Sequence, residues 1–288
     1  MSVAFEEIRT WPPGRARQAI RAAEYTRHTA GLAPGRLQAN LVILPQAHAE
    51  DFARFCVLNP RPCPVVGRTP PGDPILRGLG ADLDLRTDVP SYNIYRDGAL
   101  GTQTSDLQDL WRDDLVGFAL GCSFTFENAL LRAGLELWHI ARNTTVPMYK
   151  TTLPLTPAGP FSGTMVVSMR ALPKGDVARA TEVSARFPWA HGGPVHTGDA
   201  SEIGIADLAA PDWGDPAPVP PGHVPCFWAC GVTPQNVVRH AGLPLVITHT
   251  PGCMLITDLA DDVDPRATAQ PSPNLKPQNT KTQQGDFA

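Results

Sequence analysis

Two short runs in this 288-residue chain set a thiol and a hydroxyl where a helix could begin: Cys122-Ser123-Phe124-Thr125-Phe126-Glu127 and Cys230-Gly231-Val232-Thr233. Unpaired backbone N–H groups and the helix dipole make such a start attractive to anions, with Ser123 and Thr125 adding hydroxyls to the first. The same field lowers a thiol pKa, so Cys122 is expected as a thiolate, and Cys230 stands in the same situation. The plain alternative for each is a small buried hydrophobe. His191, His196 and His249 lie in Gly- and Pro-rich segments, with Asp199 after His196 and Asp258 after His249. A histidine oriented by a carboxylate is the usual general base, and equally a metal ligand with its supporting shell. Lys150 and Arg170 sit beside or within expected strands, where an unpaired cation is costly. Each calls for an anionic partner, either a protein carboxylate or a substrate carboxylate.

Several other chemistries have no signature. Gly78-Leu79-Gly80 lacks the third glycine of a dinucleotide fingerprint, and neither a GxxxxGK[ST] run nor HExxH occurs. The cysteine spacings miss the paired CxxC of a structural zinc site. No cofactor is therefore expected and no metal ligand set is assigned, with a divalent cation left open as a requirement.

The elements that must position these residues read as α/β. Leu37 to Leu44 is an apolar run of strand length, and Pro45 opens a helix that places Phe52, Phe55, Cys56 and Asn59 on one face. Thr164 to Arg170 is a second strand, followed by Asp176 as N-cap and a helix from Val177 to Phe187, stopped by Pro188. Residues 108–134 read as helix in two pieces broken at Gly121-Cys122-Ser123. Pro225 to Gly231 reads as a strand feeding a helix capped by Thr233 with Pro234 at its first turn. Leu243 to Asp258 reads as two short strands around Thr250-Pro251-Gly252. The expectation is a mixed β-sheet core flanked by helices, with a smaller α+β subdomain at about 145–215. Residues 1–28 form an N-terminal basic helical segment, a solvated face or an oligomer contact. From 261 to 288 the composition turns polar and Pro-rich, the mark of a disordered tail. No internal repeat and no heptad pattern is evident.

Composition narrows the partners. Twenty-four Lys and Arg against 28 Asp and Glu leave a net charge of -4 and a pI near 6.0, so no global positive field collects nucleic acid or an acidic membrane. No apolar run approaches the roughly 20 residues of a membrane helix, and the first residues lack the pattern of a secretory signal. A cytoplasmic protein with free thiols at all six cysteines is expected. The 31 prolines and 25 glycines argue against a helical bundle and for structured loops that build the site.

Longer motifs carry a resemblance. TAGLAPGRLQANLVILP (29–45), RPCP (61–64), GCSFTFENALL (121–131), VPMYKT (146–151), MVVSMR (165–170), RFPWAHGGPVHTGD (186–199), GIADLAAPDWGD (204–215), FWACGVTPQ (227–235) and ITHTPGCMLITDL (247–259) resemble the hydro-lyase family, also called the D-glutamate cyclase family. The resemblance covers roughly residues 29–259 and implies a two-part α/β arrangement and a carbon–oxygen lyase that loses water. The family's activity label extends from mitochondrial members that dehydrate D-glutamate to 5-oxo-D-proline. One departure stands in the last motif, where the family shows PGHM and this chain has Pro251-Gly252-Cys253-Met254.

The residues can supply such chemistry. His249 or His191 could act as base, Arg170 and Lys150 could bind the two carboxylates, and the start at Cys122 to Thr125 could hold a developing oxyanion. His196 and Asp199 complete the candidate binding residues. The leading expectation is a hydro-lyase acting on a small carboxylate, with D-glutamate the specific case. Its rivals are a non-catalytic small-carboxylate-binding module and a metal-dependent hydrolase using His191, His196 and Asp199.

Overall fold

The computed structural model describes residues 2–142 and 144–268, so the expected tail lies outside the described residues from 269 onward. Strand β1 (Arg36–Pro45) is buried from Leu37 to its end, as its unbroken apolar run requires of a central strand. It anchors a seven-stranded sheet ordered β2 (Val65–Arg68), β5 (Leu115–Gly121), β1, β10 (Val246–His249), β3 (Tyr92–Arg96) and β4 (Ala99–Thr104), with β11 (Leu255–Ala260) also paired to β1. A second sheet runs β6 (Met148–Pro154), β7 (Thr164–Pro173), β9 (His223–Ala229) and β8 (His196–Thr197). Helices α3 (Gln46–Leu58), α4 (Phe124–Arg132), α6 (Val177–Ala185) and α7 (Val232–His240) pack on these sheets, and the short α5 (Trp138–Ala141) follows α4.

The α/β class holds, with two refinements. Every pairing in both sheets is antiparallel, where a mixed sheet was expected. The βα units read from the sequence exist, but a third strand inserts between the two that would have lain parallel: β5 separates β1 from β2, and β9 separates β7 from β8. The first half of the expected 108–134 helix is strand β5, buried at all seven positions. A short apolar run is compatible with either element, and pairing to β1 on one side and β2 on the other decides for the strand.

Contrary to the sequence expectation, the chain contains an internal repeat. Asn40, Leu41 and Val42 of β1 face Leu120, Ala119 and Phe118 of β5, while Ser168, Met169 and Arg170 of β7 face Trp228, Phe227 and Cys226 of β9. Each long strand ends in Leu-Pro and passes to a helix (Leu44-Pro45 before α3, Leu172-Pro173 before α6). Each inserted strand feeds a nine-residue helix, Cys122-Ser-Phe-Thr-Phe-Glu-Asn128 into α4 and Cys230-Gly-Val-Thr-Pro-Gln-Asn236 into α7. Both helices end at Ala-Gly-Leu with a left-handed glycine, Gly134 at φ 78° and Gly242 at φ 62°, the conformation that closes a helix at little steric cost. Few side chains are shared, which is why the repeat shows in strand register rather than in composition.

The two units interlock. Phe126 and Leu130 of α4 share one core with Ala180 of α6 and Trp228 of β9, while Val237 and Val238 of α7 share another with Phe52 and Phe55 of α3. Helix α4 thus packs against α6 of the other unit, while α7 and α3 contribute to a common core.

The N-terminal segment forms α1 (Phe5–Ile8) and α2 (Pro13–Arg21), packed through Ala16, Ala19 and Ile20 in a cluster with Ile256 of β11. Its basic face is not solvated throughout. Arg17 is buried and pairs with Asp82 at 2.5 Å, Asp258 at 2.8 Å and the fully buried Asp88 at 3.6 Å, and Arg21 pairs with Asp82 and Asp88. At the other end Asp261 is buried and accepts from Asn128 at 2.8 Å, ahead of the short α8 (Pro265–Thr268).

Candidate active site

The repeat brings its two inserted helices to one place. Asn40 of β1 donates to the Gly121 carbonyl at 3.0 Å, and the space a side chain at Gly231 would need is filled by the Asn40 amide. Asn40 therefore sits between the start of α4 and the start of α7. Gly121 lies against the Trp189 carbonyl in the same way, which brings the Trp189-Ala190-His191 turn to the start of α4. Helix α7 begins two residues earlier than expected, with Gly231 as N-cap. Thr233 acts instead as a clamp on β7, accepting from the Val166 amide at 3.0 Å and donating to its carbonyl at 3.1 Å. Thr125 holds the equivalent place in α4, and its hydroxyl is buried with no partner.

A charged cluster lies one turn into α4. Glu127, 2% exposed, accepts from Nε of Arg170 at 3.0 Å and from its Nη2, and His139 Nε2 lies 3.1 Å from the same Oε1. Arg170 Nη1 donates to Ser168 Oγ at 2.9 Å, and its guanidinium lies 4.9 Å from the Phe126 ring and 5.2 Å from the Trp228 ring. Burial opposes charge on Glu127, but Arg170 and His139 outweigh it and hold its pKa down to about 2. Arg170 thus has the anionic partner the sequence called for, and that partner is a protein carboxylate. At the matching place in α7 stands neutral Gln235, whose amide lies 3.2 Å from His249 Nε2.

The two buried histidines differ in tautomer. His191 Nδ1 lies 2.7 Å from the Arg61 carbonyl, which can only accept, so Nδ1 carries the proton and Nε2 a free lone pair. Nε2 is buried and has no partner, and the ring lies in the field of Arg170, Arg61 and Glu127. His249 Nδ1 accepts the Leu41 amide at 3.1 Å, so its proton is on Nε2 and the Gln235 amide must turn its oxygen toward it. Burial lowers both to a pKa of about 4, leaving both rings neutral at pH 7. His191 adopts a left-handed backbone at φ 77°, a conformation unusual for a residue with a side chain, and Arg61 clamps its loop by donating to Pro194 at 3.0 Å and to Gly193.

The cysteine expectation is reversed. Burial pushes Cys122 up to about 12 and Cys230 up to about 11, although the Phe124 amide bonds the first sulfur and the Val232 and Gly231 amides the second. Both are neutral thiols at pH 7, because loss of hydration outweighs the helix-start field. Cys253, at the departure from PGHM, is likewise buried and raised to about 11.

Other sequence candidates stand apart. Lys150 is largely exposed, 3.1 Å from Asp212 and 5.3 Å from the Trp213 ring, in a surface cavity of about 530 Å³ that also takes in Asp97, Arg239 and His240. His196 bonds the backbone carbonyl of Asp199 at 2.7 Å, while the Asp199 carboxylate accepts from the Ser201 amide. Asp258 serves Arg17 and the Ala81 amide rather than His249. Among the described residues no group of three or more His, Cys, Asp or Glu could hold a metal ion, so His191, His196 and Asp199 do not form the triad a metal hydrolase would need. Sequence reasoning passed over Asn40, Arg61, His139 and Gln235. The repeat would have pointed to Gln235, which occupies in α7 the place of Glu127 in α4.

Comparison with known proteins bears on this arrangement. A family model described as D-glutamate cyclase matches residues 116–258, which include both helix starts, Glu127, Arg170, His191 and His249. A protein of Dinoroseobacter shibae is 55% identical over 285 residues, covering 98% of this chain and 93% of its own. One of Jannaschia sp. is 60% identical, covering 86% and 93%, and one of Ruegeria pomeroyi is 56% identical, covering 92% and 96%. All three carry the name "Putative hydro-lyase". No helix among the described residues is long and apolar enough to cross a membrane.

Proposed function

The chain belongs to the D-glutamate cyclase family of hydro-lyases, and from that premise we propose that it removes water from a small carboxylate, with D-glutamate cyclising to 5-oxo-D-proline as the specific reaction. The observation that carries the reading is His191 Nε2, a buried lone pair with no partner, beside the Glu127–Arg170 pair. A base left unpaired in the interior is costly unless a ligand supplies the missing hydrogen bond.

Cyclisation joins the substrate nitrogen to its side-chain carboxyl carbon, takes two protons from the ammonium nitrogen and releases one carboxylate oxygen with both of them as water. His191 Nε2 accepts the nitrogen's two protons one after the other and, each time it is protonated, donates to the departing oxygen. Its ring is held for both tasks by the Arg61 carbonyl. The starts of α4 and α7 offer positive potential to the oxyanion. His249, with its proton on Nε2 against the Gln235 side-chain amide, is a second donor to oxygen once substrate displaces that contact. Arg170 is committed to Glu127 and Ser168 and positions the site rather than binding a carboxylate itself.

The test is chiral mass spectrometry of purified protein with D- and L-glutamate, with and without a divalent cation. Loss of one water from the D isomer is the expected result. No product from either isomer overturns the D-glutamate reading.

A further inference from the structure

The repeat makes Cys122 and Cys230 equivalent residues of two units that meet at one site. Each follows an inserted strand, each stands at the start of a nine-residue helix, and each sulfur accepts a backbone amide of that start, Phe124 for one and Val232 for the other. Asn40 donates to the Gly121 carbonyl at 3.0 Å and fills the space beside Gly231, so one side chain bridges the residue before Cys122 and the residue after Cys230. Cys122 and Cys230 each keep 8% of their surface accessible and Cys253 keeps 7%, whereas Cys56, Cys63 and Cys226 keep 1% or less; of the three less enclosed thiols only Cys122 and Cys230 stand at the starts of the paired helices. The Thr125 hydroxyl, buried without a partner in the first turn of the helix that follows Cys122, is the independent sign that a ligand completes this place.

We propose that Cys122 and Cys230 form a two-thiol acid–base pair that exchanges the α-proton of a 2-amino or 2-hydroxy carboxylate, an activity separate from water loss. With one of the pair ionised, its sulfur takes the α-hydrogen as a proton, and the electron pair of the C–H bond passes into the carboxylate as an enediolate. The other thiol then returns a proton to the opposite face, leaving the inverted substrate and the opposite cysteine ionised. Nothing is oxidised and no cofactor is consumed. The helix starts stabilise the enediolate's added charge. Burial keeps both thiols neutral at rest, so the ionised partner is a minor species and exchange is slow. The inference rests on the reading that a small carboxylate occupies this site.

One experiment in heavy water separates the two. Purified protein is incubated with D-glutamate, L-glutamate, D-malate and L-malate, and each is followed by chiral mass spectrometry and by the α-proton resonance. A two-thiol pair places solvent deuterium in the inverted product while the recovered substrate still holds its hydrogen at early times. Cys122→Ser and Cys230→Ser are each expected to lower that rate by about 10²-fold or more, with Cys56→Ser unchanged and thermal unfolding reporting that each variant is folded. Deuterium accumulating in uninverted substrate, loss confined to one of the two cysteines, or no exchange with any of the four compounds overturns the proposal. Where a serine variant does not fold, the early-time distribution in the unaltered protein decides alone. Loss of water, read in the same samples as a lower mass, reports on the dehydration reading independently.

Discussion

His191 and His249 are fixed in opposite tautomers, one by a carbonyl and the other by an amide. The Arg61 carbonyl keeps the proton of His191 on Nδ1, and the Leu41 amide keeps that of His249 on Nε2. The site therefore holds one neutral ring that accepts and one that donates, without a carboxylate orienting either.

The His191 assignment predicts that His191→Gln lowers turnover by about 10²–10⁴-fold, the usual contribution of a positioned base. His249→Gln, which can still donate to oxygen, should cost less. Steady-state rates on whichever substrate loses water check the order, and equal losses would remove the distinction.

Stability should fall with acid in two stages. Both histidines have folded pKa values of about 4, below the ordinary 6.5, so the unfolded chain binds protons first as pH drops. Their contribution is full above pH 6.5 and is lost between 6.5 and about 4. Glu127, lowered from 4.5 to about 2, contributes above pH 4.5 and is lost between 4.5 and about 2. Urea midpoints across pH 3–8 should flatten in the upper window for His191→Gln and His249→Gln.

Glu127→Gln leaves the Arg170 guanidinium buried without its counter-charge and is expected to destabilise by about 3–5 kcal/mol. Adding Arg170→Met to that variant should restore part of the loss, because the orphan charge is gone. Urea unfolding of the single and double variants measures the recovery, and additive losses would contradict it.

Gly121→Ala places a methyl group against the Trp189 carbonyl, a backbone atom that cannot swing aside. A loss of about 1–3 kcal/mol is expected, together with reduced activity, because the turn that carries His191 must shift. Gly175→Ala, which meets nothing nearby, is the control.

Lys150→Ala should leave turnover unchanged. Its partners are Asp212 and Trp213 at the surface, in contrast to the carboxylate-binding role that its place beside a strand suggested. A large rise in KM would return it to the site.

Strands β1, β7, β9, β10 and β11 and helices α3, α6 and α7 were legible because apolar runs and Pro or Gly boundaries are local properties of a chain. The candidate status of Cys122, Cys230, Arg170, His191 and His249 was legible too, since residue type and helix-start context are also local. The motifs around these residues carried the family resemblance. Tertiary structure alone decided that 115–121 is strand, because pairing to β1 and β2 outweighs a periodicity too short to discriminate. It alone revealed the repeat, which lives in the register of strands brought together from distant parts of the chain. It set the protonation of the site as well. Burial raised the thiols against the helix field, Arg170 and His139 kept Glu127 ionised against burial, and single hydrogen bonds, one to the Arg61 carbonyl and one from the Leu41 amide, chose the histidine tautomers. Each is a balance between desolvation and a partner far away in sequence, and a chain read in order contains neither quantity.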